Sequence, residues 1–553
     1  MPHLLLRKME PTSIYLQQFV ATRYGCKNSM LAYTPARFTA GTVSLCDQSH
    51  PTWSQITKPL SNHLPVMTSA AAACSGGARD AQVQLPHVVM IPFMAKSHTT
   101  PLAHLAHLLR RRQLATVTFF TTPGNAAFVR AALSGADGVA VLELPFPDDV
   151  IVPGVPPGAE CAEALDSLSS LPAFVAAVSL LRPRFEEELA AMRPPASVVV
   201  ADAFLYWAHA AAAAIGVRTL AFFGANMFLH VMMEVLPRDN PSETLVGGGP
   251  DAVFTVPEFP HVQLSLEDLP FPFNDPDPTA APSMREMGAK LVKAIADSHG
   301  LIVNTFHAME SCYIDHWNRH VGPRAWPVGP LCLAQPATPA RRRLDVAPAW
   351  MRWLDEKAVA GRAVLYVALG TTIAVPGAQL REVADGLEQS GLDFLWAVRP
   401  VDADLGSVEE RVQGRGMVVR EWVDQCAILR HGGVKGFMSH CGWNSVIESV
   451  SAGVPLAVWP MSAEQPLNAK LVVDELKIGV RVPSKHSMTS TLVRVKSEEV
   501  ASVAKELMNG EKGVEAARNM AALGAKAREA MDEGGSSWRV LEERIAGLGH
   551  QPA

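Results

Sequence analysis

Three groups of residues carry side chains whose types and placement suit chemistry. The first is His98, in the run PFMAKSHTTPLAHL, just after an apolar, β-rich run HVVMIPF that begins at His87. Neutral imidazole is the side chain best poised near neutral pH to take a proton from a hydroxyl. The second is Asp202, at the end of VVVA within SVVVADAF. A carboxylate accepting the other imidazole N–H fixes the tautomer and stabilises the imidazolium as it forms, so the two residues are read as a pair. The third is the stretch 422–465, WVDQCAILRHGGVKGFMSHCGWNSVIESVSAGVPLAVWPMSAEQ. It joins an aromatic plate, a phosphate-binding turn and a terminal cluster of hydrogen-bonding groups of sugar size. In its middle, HCGWNS at 440–445 sets a glycine and small polar residues before an apolar run, 446–450, that reads as the first turns of a helix. Backbone N–H groups at a helix start have no internal partner and the dipole there favours anions, so a pyrophosphate fits.

Each of these features has a plainer reading. Trp422, Trp443 and Trp459 taken singly are more often core residues. A structural turn, however, needs one glycine and one cap, and has no use for His440, Asn444, Ser445, Glu448, Glu464 and Gln465 together. The combination points to a nucleotide-sugar site. His104 and His107, at i and i+3, have no carboxylate at matching spacing and are expected to be partly solvated helix residues rather than a metal pair. Asp275 and Asp277 lie among Pro270, Pro272, Pro276 and Pro278, which reads as a surface loop. No metal site is expected.

The elements that must position these groups follow from pattern. HVVMIPF, a helix-period stretch at 102–112 and ATVTFFTT form strand, helix, strand, the opening unit of a parallel α/β sheet. SVVVADAF, AHAAAAAIG and VRTLAFF repeat the unit, and LIVNTF at 301–306 closes the first half. A proline-rich stretch with PVGPL and QPATPARRR reads as a linker. A second set then opens with RAVLYVALGTT and continues with GLDFLWAVRP, GMVVREW and VKGFMSH. The division expected is an N-terminal extension at 1–85, a first α/β domain at 86–330, a linker at 331–360, a second at 361–525 and a C-terminal helix at 526–553.

Composition narrows the classes. The chain has 553 residues, 48% hydrophobic and 18% charged, enough for more than one core. Its net charge of −6, with no basic stripe, gives no footprint for nucleic acid or an anionic membrane. Eight cysteines without CxxC spacing argue against a disulfide framework or structural zinc and for a reducing compartment. The most apolar region, 196–236, is interrupted by Asp202, His209 and Arg218 and reads as strand, helix, strand rather than a membrane span. Residues 1–85 lack the composition of a core. A transit peptide is one reading; an extended gene model, with a second start at Met67, is the preferred one.

The stretch 422–465 resembles, nearly position by position, the signature box of plant family-1 UDP-dependent glycosyltransferases. PHVVMIPFMAKSHTTPLAHLAHLL and VVVADAFLYWA resemble that family's segments around its catalytic histidine and partner aspartate. The resemblance covers 86–549 and implies an α/β protein of glycosyltransferase B fold, two Rossmann-like domains with parallel sheets facing across a cleft. It implies His98 as base and Asp202 as its partner. It assigns Trp422 to stacking on uracil, with Val423 and Gln425 near the base, and Glu448 to the ribose hydroxyls. Thr371, His440, Gly442, Asn444 and Ser445 would meet the phosphates, and Trp443, Glu464 and Gln465 the hexose. A terminal glutamine usually accompanies glucose donors there, so Gln465 favours UDP-glucose, whereas Gly224 departs from a hydroxyl residue of some members and Ser462 and Ala463 are not diagnostic, which leaves galactose or xylose as alternatives; Ser97, where the family often has glycine, is a mild change in turn chemistry. The resulting expectation is a cytoplasmic, monomeric hexosyltransferase. It would pass glucose, with inversion, from the co-substrate UDP-glucose to a hydroxyl or carboxyl of a small apolar acceptor such as a flavonoid, other phenolic or hormone. No further cofactor is implied. A nicotinamide oxidoreductase would need a GxGxxG after an opening strand, which is lacking. A UDP-sugar-binding protein without turnover, or a phosphorylase or epimerase, are the other readings.

Overall fold

The computed structural model describes residues 85–548 apart from 148–151, 166, 250, 276, 278, 335–346, 371–374, 400–407 and 484–493. The expectations for residues 1–84 and for Thr371 lie outside the described residues. Fifteen strands are present among them: β1 (His87–Ile91), β2 (Thr116–Thr121), β3 (Val139–Glu143), β4 (Val198–Asp202), β5 (Arg218–Phe222), β6 (Phe254–Thr255), β7 (Gln263–Leu264), β8 (Leu301–Val303), β9 (Ala325–Pro327), β10 (Val364–Ala368), β11 (Asp393–Ala397), β12 (Gly416–Val419), β13 (Val434–Ser439), β14 (Leu456–Val458) and β15 (Gly479–Arg481). The first domain's sheet has the order β3-β2-β1-β4-β5-β8-β9 and the second's β12-β11-β10-β13-β14-β15, parallel throughout; β6 and β7 form a separate antiparallel pair.

Near-continuous apolar runs make these strands because both faces of a parallel sheet are covered. In β1, Val88 and Met90 face Leu102, Leu105 and Leu109, whereas Val89 and Ile91 face Phe174, Phe185 and Trp207. β4 repeats this period of two, with Val198 and Val200 on the first side and Val199 and Ala201 on the second. A third cluster joins the halves, running from Phe228 and Tyr313 of the first domain to Val446, Ile447 and Val450 of the second. The last helix, Ser536–Ala546, packs Leu541 and Ile545 under β1 and donates Ser537 Oγ to the Gly329 carbonyl at 2.6 Å.

In each sheet the strand order turns back at one place. β1 lies between β2 and β4, and β10 between β11 and β13. Crevices at the carboxyl ends of such switch points are where open α/β sheets take ligands. One expectation changes. The stretch 102–112 belongs to a longer helix, Lys96–Arg111, in which His104 and His107 are buried rather than partly solvated, because this helix is covered on several sides. Beyond β5 come the helices Met227–Asp239, Pro241–Gly247 and Pro282–Asp297; MFLHVMMEVL at the start of the first presents apolar residues all round and is almost wholly buried.

Candidate active site

The first switch point places His98 beside Asp202. His98 is the third residue of the Lys96–Arg111 helix rather than part of a connecting turn. The helix starts ahead of Pro101 because the N–H groups of His98 and Thr99 both reach the Ala95 carbonyl, at 3.1 and 2.9 Å. His98 Nδ1 stands 2.7 Å from Asp202 Oδ2, and the other carboxylate oxygen accepts from the Phe204 N–H at 3.1 Å. With Nδ1–H given to the carboxylate, Nε2 holds the lone pair. The ring is held edge-on by Phe93 and Phe204, with centroids at 5.4 and 5.5 Å. Asp202 is fully buried, whereas the His98 side chain keeps 18% of its surface exposed. Burial alone would lower the His98 pKa, but the charge and hydrogen bond of Asp202 outweigh it, helped by Glu464 and Glu163, so the pKa is raised. Glu464 belongs to the second domain, so the two halves meet electrostatically at this ring.

At the second switch point β13 ends at Ser439 and a helix begins at Trp443, three residues before the apolar run that marked its expected start. Gly442 is its N-cap and has no side chain to cap it; the Trp443 N–H turns to the Glu464 carboxylate, which leaves the N–H groups of Asn444 and Ser445 for an anion. His440 is packed so closely that a Cβ on Gly442 would stand 2.5 Å from its Nε2, and one on Gly370, itself at φ +88°, 3.0 Å from its Cδ2. Burial brings the His440 pKa down to about 4, so this imidazole is neutral.

Around the next turn of the helix a polar network forms. Gln425 Nε2 donates to Glu448 Oε2 at 2.8 Å and to Ser445 Oγ at 3.1 Å, while its Oε1 accepts from Tyr366 at 3.3 Å. Burial lifts the Glu448 pKa to about 7 against the opposing Gln425 bond. Trp422 is 81% exposed, a free aromatic face, and the half-buried Val423 packs on the core beneath. Gln465 Oε1 accepts from the Met461 and Ser462 N–H groups at 2.9 and 3.0 Å, which leaves its Nε2 donors for a ligand.

One expectation is corrected. The Trp443 indole does not line a sugar pocket: it is 2% exposed and donates Nε1–H to the Asn304 carbonyl of the first domain at 2.9 Å. The Trp443 backbone N–H faces the Glu464 carboxylate. The Gln425 amide bonds to Glu448, Ser445 and Tyr366, which leaves the backbone of this residue for a base. Sequence reasoning missed Tyr366, Phe93, Phe204 and Glu163; the alternation of two signals the first two only, Tyr366 within β10 and Phe93 just beyond β1 in the cluster of Val89 and Ile91. Among the described residues no three His, Cys, Asp or Glu side chains gather as a metal site.

The family model for UDP-glucoronosyl and UDP-glucosyl transferases matches residues 351–522. UDP-glycosyltransferase 90A1 of Arabidopsis thaliana is 41% identical over 466 residues, 82% of this chain and 95% of its own length. The chain belongs to the plant family-1 UDP-glycosyltransferases. The anthocyanin 3'-O-beta-glucosyltransferase of Gentiana triflora is 35% identical, over 84% of this glycosyltransferase and 99% of its own chain. Among solved structures, Glycyrrhiza uralensis UGT73P12 in complex with glycyrrhetinic acid 3-O-monoglucuronide superposes with a TM-score of 0.73 at 30% identity, covering 84% of this chain and 96% of that one. The glycosyltransferase B fold is thereby established, and with it transfer from a UDP-sugar to a small molecule. The matched relatives are transferases, which sets aside the binding-only and oxidoreductase readings. No helix among the described residues of this glycosyltransferase is long and apolar enough to cross a membrane.

Proposed function

We propose that this enzyme transfers glucose from UDP-glucose, with inversion, to a hydroxyl of a small phenolic acceptor. The observation that carries the reading is the contact of 2.7 Å between His98 and the buried Asp202, at the sheet edge that meets the uncapped helix of the second domain. His98 Nε2 takes the acceptor proton as its oxygen attacks the anomeric carbon; the bond to UDP breaks on the opposite face and UDP leaves with the electron pair, giving a β-glucoside. Asp202 holds the imidazole and stabilises its cation. Trp422 stacks on uracil and Glu448 accepts the ribose hydroxyls, while the N–H groups of Asn444 and Ser445 stabilise the charge growing on the diphosphate. His440 borders the phosphates, and Glu464 and Gln465 bind the hexose.

An aromatic acceptor is supported by Phe93, Phe204 and Phe223, which form a continuous wall from His98 with centroid separations of 4.9 and 5.8 Å between neighbours. Both halves of the site come from one chain, so the proposed working unit is a monomer; the free thiols among the described residues fit a cytoplasmic setting. The test is UDP release from UDP-glucose, UDP-galactose and UDP-xylose against a panel of phenols, for the wild type and His98→Ala. Acceptor-dependent release, fastest with UDP-glucose and lost in the variant, is expected. Release that survives the substitution removes His98 as the base, and preference for another sugar removes glucose.

A further inference from the structure

We propose that Asn226 and Asn468 are a positioning pair, a buried relay between the domains that holds the phosphate turn where His98 requires it. The proposal rests on the catalytic reading above. Both side chains are fully buried. Asn226 follows β5 and is the N-cap of the Met227–Asp239 helix: its Oδ1 accepts from the Leu229 N–H at 2.6 Å. Its Nδ2 donates to Asn468 Oδ1, across the domain junction, at 2.7 Å. Asn468, in the helix Gln465–Lys470, passes the polarity on: Nδ2 donates to the Cys441 carbonyl at 2.9 Å and lies 3.4 Å from Glu464 Oε1. The result is a directed chain from a helix N–H in the first domain to a carbonyl in the second, in which each bond polarises the next.

The carbonyl at its end matters because of where Cys441 sits. This residue has φ +66°, a region that non-glycine residues visit only when their surroundings fix them there. Two bonds do so, from the Cys441 N–H to Ser439 Oγ at 3.1 Å and from Asn468 to its carbonyl. Cys441 is followed directly by Gly442 and the helix start at Trp443, whose next N–H groups, of Asn444 and Ser445, serve the anion. Releasing that carbonyl lets the peptide plane rotate and re-aims the donors.

A second tie reaches the same turn from the other side. Asn444 Nδ2 donates to the Ser97 carbonyl, next to His98, at 2.7 Å. That carbonyl is free because Pro101, four residues on, has no N–H to give it. The turn is thus referenced twice to the first domain, once beside the base and once through the relay. The relay is the part that touches no ligand, which makes it a positioning device rather than a catalytic one.

Asn226→Ser in the full chain keeps a hydroxyl to cap the helix but is too short to reach Asn468. Well below its own Tm, it is expected to lower kcat about tenfold, the scale of one buried hydrogen bond, and to weaken the Kd of UDP by a smaller factor, because the re-aimed N–H groups also hold the diphosphate in the ground state. Asn226→Asp, which retains cap and size but not the donor, should fall with it. Asn468→Ala should lower kcat at least as far, and the double variant no further, because both interrupt one chain. A fall in Tm with kcat at the wild-type value would make the pair structural only, and additive losses would dissolve the relay. Should Asn468→Ala fail to fold, the two Asn226 variants decide by the same split of kcat from Tm. An active wild type with an equally active Asn226→Ser overturns the relay alone; a wild type that transfers nothing from any UDP-sugar overturns the catalytic reading and the relay with it.

Discussion

Two histidines occupy equivalent places, each just beyond the end of a central strand at a switch point, and the protein drives them in opposite directions. His98 is raised and His440 is lowered to about 4. Burial acts on both in the same sense; the difference is that His98 faces a carboxylate and His440 faces glycines. A histidine's chemistry here is therefore set by what its neighbours supply. In the proposed mechanism the first-domain edge moves a proton, while the second offers neutral hydrogen-bond donors to an anion. Their assembly differs as well, for the base and its carboxylate are 104 residues apart, whereas the second edge comes almost entirely from 422–465.

If the edges divide the work in this way, damage to one should leave the other's signature intact. His98→Ala is expected to lose ~10²–10⁴ in transfer rate, the value of a general base, with the Kd of UDP by calorimetry unchanged. Glu448→Ala should show the reverse emphasis, weakening UDP first. Equal loss of UDP affinity in both variants would break the division.

Asp202→Asn sharpens it, with a loss smaller than that of His98→Ala. The aspartate charge is what raises His98 against burial, so its removal lets burial dominate and the pKa falls. A base acts when neutral, and kcat/KM rises with pH through the pKa of the free enzyme. In the wild type that acid limb should lie above the ordinary histidine range, and in Asp202→Asn it should move to lower pH while the plateau drops. An unmoved limb would assign it to another group.

On the second edge, Gly442→Ala tests the packing of His440. The added methyl would stand 2.5 Å from its Nε2, so the turn must shift. Overpacking of this kind costs about 1–3 kcal/mol, which predicts UDP binding weaker by roughly ten- to a hundredfold and no shift of the acid limb. A move of that limb would show the edges to be more tightly coupled than proposed.

How much of this was legible in the chain follows the same contrast. The strands could be read because parallel strands buried on both faces leave uninterrupted apolar runs, as in VVVA before Asp202. The second edge could be read because its groups are contiguous. What could not be read is what the fold adds between distant segments. The side chain of Trp443 turns away from the cleft because Asn304, remote in sequence, offers its carbonyl. His104 and His107 are polar residues in an apolar run, and only the packing of their helix shows that both are buried. Asn226 carries a local signal as a cap ahead of an apolar helix, and Asn468 lies three residues beyond Gln465, yet nothing in the sequence pairs them.

The smallest expected effect concerns the one carboxylate of the second edge whose titration falls near neutrality. Burial lifts Glu448 to about 7, so in the free enzyme it is largely protonated below that pH and loses an acceptor for the ribose hydroxyls. Uridine carries the ribose without phosphates that titrate in the same range, so its affinity should rise a few-fold with pH and level off above about 7. The folded pKa is raised, so the unfolded chain ionises first as pH increases, and Glu448 costs stability from its ordinary value of 4.5 up to about 7 and beyond. Glu448→Gln should then bind uridine independently of pH and gain Tm over the wild type at alkaline pH but not in acid. A pH-independent wild type would mean that Gln425 already holds Glu448 ionised, and the contrast between a tuned first edge and a tuned second edge would rest on the two histidines alone.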